Sequence, residues 1–150
     1  MSPPSQPNPG HHHADFIAAR LVVFEGWFHK VPAEDEAALA EPINALERDE
    51  DPDGGWRRYC NQALAAYGPA WERIDHLAWL RGPGFEVVPE WRWQQECTLQ
   101  AANPGRRAMT RAQVERFVLF FERVSRQAQR TLPAIADETF PLDAARRPVS

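Results

Sequence analysis

The residues with the plainest chemical promise lie in LVVFEGW, where the apolar run Leu21 to Phe24 ends in Glu25, Gly26 and Trp27. A continuous run rich in β-branched residues has the pattern of a parallel strand covered on both faces. The Glu25 carboxylate is then expected at the carboxyl end of that strand, the rim where α/β sheets bind ligands. An acid held there could bind Mg²⁺ through water or orient an attacking hydroxyl in phosphoryl transfer. It could equally leave the sheet and meet solvent.

Arg116, Arg123, Arg126 and Arg130 recur at steps of seven, three and four, which places them along one side of a helix. Planar guanidinium forks suit bidentate contacts to phosphate oxygens. The same spacing also describes a solvated face, with Glu122 and Arg126 an ordinary i,i+4 pair. EWRWQQE, from Glu90 to Glu96, packs two tryptophans, an arginine and two carboxylates into one and a half turns, so at least one tryptophan is expected in the core. His11, His12 and His13 are adjacent but lack the fixed geometry of a metal site. Cys60 and Cys97 have no metal-ligand or C-x-x-C spacing and read as small buried hydrophobes.

The elements that must position these groups can be read in order. The first ten residues, MSPPSQPNPG, suit a flexible tail, and residues 1–20 are set apart from the folded part. Ala33 to Tyr67 is helix-like, with Pro42 in a first turn and a turn at DEDPDGG; HLAWL (76–80) is a second short strand. A helix follows from Pro89 to about Ala102. Thr110 and Gln113 have capping-box spacing, and Val114, Phe117, Val118, Phe121, Val124 and Ala128 form the core stripe of the helix they begin. ETFPLD offers a last strand, with Phe140 and Leu142 on one face. Strands separated by helices imply an α/β layered fold with parallel pairing.

With 150 residues, 43% of them apolar and 25% charged, one globular domain is expected. A formal net charge of −4 argues against general nucleic-acid binding. No apolar stretch approaches the ~20 residues a membrane helix needs, and no export signal is apparent, so a cytoplasmic location is expected.

Taken together, LVVFEGWF, EPINALERDEDPDGGWRRYCNQAL, EWRWQQE and AMTRAQVERFVLFFERVSR with the following LP and AD resemble the C-terminal portion of the P-loop small-molecule kinases related to D-glycerate 3-kinase, from about Leu21 to Arg147. The resemblance implies a partial P-loop NTPase-like three-layer fold over residues 21–150, a short parallel sheet flanked by helices. It implies ATP-dependent phosphate transfer to a small hydroxy acid or similar metabolite, with ATP and Mg²⁺ as cofactors. Glu25 then matches the family's catalytic acid near metal, holding Mg²⁺ through water. Trp27, Arg92 and Glu96 fall on the substrate side, and Arg123 and Arg126 match phosphate-facing arginines. No G-x-x-x-x-G-K-[ST] segment is present, and FHK after Trp27 replaces a small residue and a glycine. Three expectations result: a kinase polypeptide needing a complementing N-terminal P-loop polypeptide and binding no cofactor tightly alone, a non-catalytic nucleotide- or metabolite-binding module, or a remnant.

Overall fold

The computed structural model describes residues 21–149, so the proline-rich segment and the three histidines lie outside the described residues. Along the chain come helices α1 (Ala45–Glu50), α2 (Gly55–Ala66), α3 (Gly68–Trp71), α4 (Val88–Ala102), α5 (Arg111–Leu119) and α6 (Glu122–Thr131). Strand β1 (Ala78–Arg81) precedes α4 and strand β2 (Glu138–Pro141) follows α6.

The two strands pair in parallel, Ala78 against Glu138 and Leu80 against Phe140. Parallel neighbours need a long crossover, and α4, α5 and α6 supply it. Trp79 turns to the covered face of this sheet, where it and Leu77 meet Val31, Val124, Ala128 and Leu132. Leu80 and Phe140, on the other face, remain 66% and 44% exposed.

Local chemistry explains most helix starts. Thr110 accepts the Gln113 N–H at 3.3 Å while the Gln113 side chain accepts the Thr110 N–H at 2.8 Å, the reciprocal box expected from their spacing. Asn44 caps α1 by accepting the Glu47 N–H at 3.0 Å. The turn before α2 passes through Gly54 at φ +72°, where a side chain would be strained and would also crowd Arg57 and Arg58. Pro42, expected inside a first helical turn, lies outside α1.

Two further expectations are corrected. Leu21 to Phe24 forms no strand: its side chains are 66–83% exposed, and among the described residues β1 and β2 pair with each other and not with it. An apolar β-branched run becomes a strand only when a neighbour accepts its ladder, and none does so here. The helix begun at Thr110 also breaks after Leu119, where Phe120 and Phe121 donate to carbonyls three residues back and α6 starts afresh. The stripe survives the break: Val114, Val118 and Ala128 are buried, and Phe117, Phe121 and Val124 are half-buried.

No helix among the described residues is long and apolar enough to cross a membrane. Cys60 is half-buried and Cys97 exposed, both as free thiols, so only Cys60 approaches the expected environment. Burial, with Asp51 and Glu47 nearby, pushes the Cys60 thiol up. Neither Trp91 nor Trp93 reaches the core; each is half-buried beneath an arginine, Arg146 and Arg111 respectively.

Candidate functional site

Because Leu21 to Phe24 forms no strand, Glu25 is not aimed from a strand end; it is exposed on an irregular segment held by aromatic contacts. Phe24 stacks on His29 with ring centroids 4.5 Å apart, and His29 rests on Trp71 at 5.2 Å. Gly26 faces the His29 ring so closely that a β-carbon there would lie 2.6 Å from Nε2. The chain then reverses through Phe28 and Lys30, at φ +63° and +58°, a left-handed conformation that favours glycine.

Trp27 is 68% exposed and meets the Phe121 ring edge-on at 6.0 Å. Phe121 meets Phe117 at 5.2 Å, and the Arg92 guanidinium lies 5.6 Å over Phe117. Arg92 pairs in turn with Glu96, 3.2 Å away. A continuous string of contacts therefore joins Trp27 of EGW to Arg92 and Glu96 of WRWQQE, more than sixty positions away.

Glu96 is only 1% exposed. It accepts from Arg106 at 2.8 and 3.4 Å and from the Met109 N–H at 2.9 Å. The Arg106 and Met109 hydrogen bonds outweigh burial and, with the charges of Arg106 and Arg92, hold its carboxyl at about 2. A carboxylate so fully used is a fixed anchor for Arg92 and for the loop after α4, with little capacity left for a ligand.

The arginines on α5 and α6 all meet acids. Arg116 pairs with Glu50, and Arg130 with Glu34. Arg126 donates to Glu122 at 2.9 Å and Glu86 at 3.1 Å and covers the Phe85 ring. Arg123 grips Glu47 with Nε (2.8 Å) and Nη2 (2.6 Å), reaches Glu34 at 3.1 Å, and donates to the carbonyls of Ala38 and Glu41. All five of its N–H donors are used. Burial raises the Glu47 carboxyl, but the Arg123 and Ile43 hydrogen bonds and the charges of Arg123 and Arg57 bring it below its usual range. Arg123 is thus a clamp between α6 and the start of the folded chain, and a phosphate would have to displace Glu47 to reach it.

Sequence reasoning missed the acids that complete this network. Glu47 and Glu122 are buried, and Asn44 links them by capping α1 and donating to Glu122 at 3.1 Å and to the Leu119 carbonyl at 3.1 Å. The spacing of Asn44 and Glu47 was the available signal, since it matches a helix start with a returning carboxylate. Arg57, also buried, gave none; it donates to Leu39, Ala40 and Asp51.

At the carboxyl ends of β1 and β2 lies a cleft of about 430 Å³ lined by Trp79, Arg81, Gly82, Gln129, Pro141 and Leu142. This is the rim where parallel sheets bind ligands, and Arg81 is the charged side chain on its wall. A second cleft of about 430 Å³, between α4 and the following loop, is almost wholly apolar. Among the described residues, no group of three or more His, Cys, Asp or Glu side chains is arranged to hold a metal ion.

No family model matches this sequence, and no curated protein matches it. A solved structure of D-glycerate 3-kinase from Cryptococcus neoformans var. grubii serotype A does match, with a TM-score of 0.62 over 85% of this chain. The fold is kinase-related. Sequence identity is 22%, and the chain spans about half the length of that neighbour, 47% of it.

Proposed function

We propose that this chain is the substrate-side part of a small-molecule kinase, an ATP-dependent phosphotransferase acting on a small hydroxy acid such as glycerate. The observation that carries this reading is the kinase-related fold, coupled with contacts that join Trp27, Arg92 and Glu96 across that fold. In the proposed enzyme Glu25 is the catalytic acid, Trp27 and Arg92 face the substrate, and Glu96 fixes Arg92. Arg126, partly exposed and bound to acids through Nε and Nη2, is the better candidate for a phosphate contact; Arg123 enters only if Glu47 lets go.

The described residues do not by themselves fit Mg²⁺ and ATP. They offer one exposed carboxylate at Glu25, whereas Mg²⁺ sites of this kind add substrate phosphates held by a backbone cradle. No Walker A sequence occurs in this chain. ATP and Mg²⁺ are therefore assigned to an assembly in which residues outside this sequence supply that cradle.

A chimera tests this. The portion of the Cryptococcus D-glycerate 3-kinase without a counterpart here, fused to this chain, is expected to consume ATP when D-glycerate is added. The unfused chain should show no micromolar affinity for Mg²⁺-ATP by calorimetry. In an active chimera, Glu25→Gln is expected to lower turnover about 100-fold or more, with thermal stability unchanged. A stable but inert chimera, or equal losses of turnover and stability in the variant, overturns the assignment. The second reading, a non-catalytic nucleotide- or metabolite-binding module, is favoured by the full engagement of Arg123; ligand binding by the unfused chain without ATP turnover supports it.

A further inference from the structure

The chain holds an exposed apolar run outside any sheet, Leu21 to Phe24, and a two-stranded sheet with apolar side chains bare on one face. Among the described residues nothing hydrogen-bonds to β1 on the edge away from β2. Parallel sheets are almost always covered on both faces, and open apolar edges recruit further strands.

Charge indicates what fits. Glu25 follows the run directly, and Arg81 ends β1; both are exposed. Among the described residues neither has an oppositely charged partner. Laid parallel to β1, Val22 to Glu25 would run beside Ala78 to Arg81 and set Glu25 against Arg81. Antiparallel addition would separate the two charges. In this register Val22 and Phe24 extend the bare face of Leu80 and Phe140, while Val23 and Glu25 turn to the side of Trp79 and Arg81.

We infer that two copies of this chain form a reciprocal dimer, each adding Val22 to Glu25 as a parallel strand to the other's β1 edge, with Glu25 of each copy paired to Arg81 of its partner. The exchange is self-complementary, as a two-fold interface requires. Leu21, Val22, Val23, Phe24, Trp27, Leu80 and Phe140 are all among the exposed large apolar residues. With the three aromatic side chains each offering area on the order of 150–250 Å² and the four aliphatic ones adding to it, the patch is on the order of 800 Å² per copy. A standard specific interface uses about 800 Å² per partner. The dimer engages Glu25 and Trp27, which the kinase reading gives to catalysis and substrate, so the two compete for these residues; sedimentation tests the dimer without reference to turnover.

Sedimentation velocity on the full chain over about 1–100 µM, the weak end of specific interfaces, is the test. A monomer–dimer equilibrium is expected, with amide exchange slowed at residues 22–24 and 79–81 as dimer forms. Glu25→Arg and Arg81→Glu, both exposed and so tolerated by the fold, should each weaken dimerisation about tenfold or more through like-charge contact, and the double reversal should restore it. Val23→Lys should abolish it. A monomer at every concentration overturns the inference, as does a dimer indifferent to these variants. Assembly only when the unmatched portion of the Cryptococcus kinase is added also overturns it, because the occupant is then a different polypeptide.

Discussion

Arg123→Met separates an architectural arginine from one reserved for phosphate. The substitution keeps much of the side chain's length and removes five donors at once. Left behind are Glu47 and Glu34, whose side chains are about 10% and 6% exposed, and the carbonyls of Ala38 and Glu41. Breaking a buried ion pair by deleting one partner costs about 3–5 kcal/mol. Arg123 retains 12% exposure and water can reach part of the cluster, so about 2–4 kcal/mol is expected here. Urea unfolding followed by tryptophan fluorescence measures it directly, and the accompanying fall in Tm should be on the order of 10 °C. A cycle with Glu47→Gln should show the two losses coupled by about 1–3 kcal/mol. A loss under about 0.5 kcal/mol would refute the clamp, because surface changes away from buried networks fall in that range.

Glu96 makes a prediction about acid. Its carboxyl sits at about 2 against an ordinary 4.5, so its stabilising contribution is complete above pH 4.5 and disappears as pH falls toward 2. Glu47, also lowered, acts in the same direction. Urea midpoints measured from pH 6 down to pH 2.5, in about half-unit steps, should therefore fall below about pH 4.5, and Glu96→Gln should flatten that fall. Lys30→Gly should stabilise the protein by about 0.5–1 kcal/mol by relieving a left-handed conformation; destabilisation in the same urea assay would contradict that backbone geometry. Phe121→Ala should cost about 2–3 kcal/mol, below the value for a fully buried phenylalanine because Phe121 is half-buried, and should change the fluorescence of Trp27, which it touches.

What the sequence disclosed depended on the range of the forces concerned. The Thr110–Gln113 cap, the helix after Pro89, the two short strands of the sheet and the Val114 to Ala128 stripe are written in neighbours a few positions apart, and all are present. The run at Leu21 misled because composition states only that a strand would be stable if something paired with it. Arginine spacing was similarly incomplete: it placed Arg123 on a helix side but could not reveal Glu47 and Glu34, 76 and 89 positions away, waiting to receive its donors. Trp27, Arg92 and Glu96 came together through Phe117 and Phe121, residues that the stripe explained as core and whose bridging role only three dimensions expose.

The break between α5 and α6 has a consequence for which changes in chain length this protein can accept. The freed Leu119 carbonyl is taken by Asn44, so the bend is fastened to another helix. One residue inserted between Phe117 and Arg123 would turn every later side chain by about 100°. Arg123 would leave Glu47, and Ala128 and Leu132 would swing away from Val31 and Trp79. Length variation among descendants of this chain should therefore spare the bend.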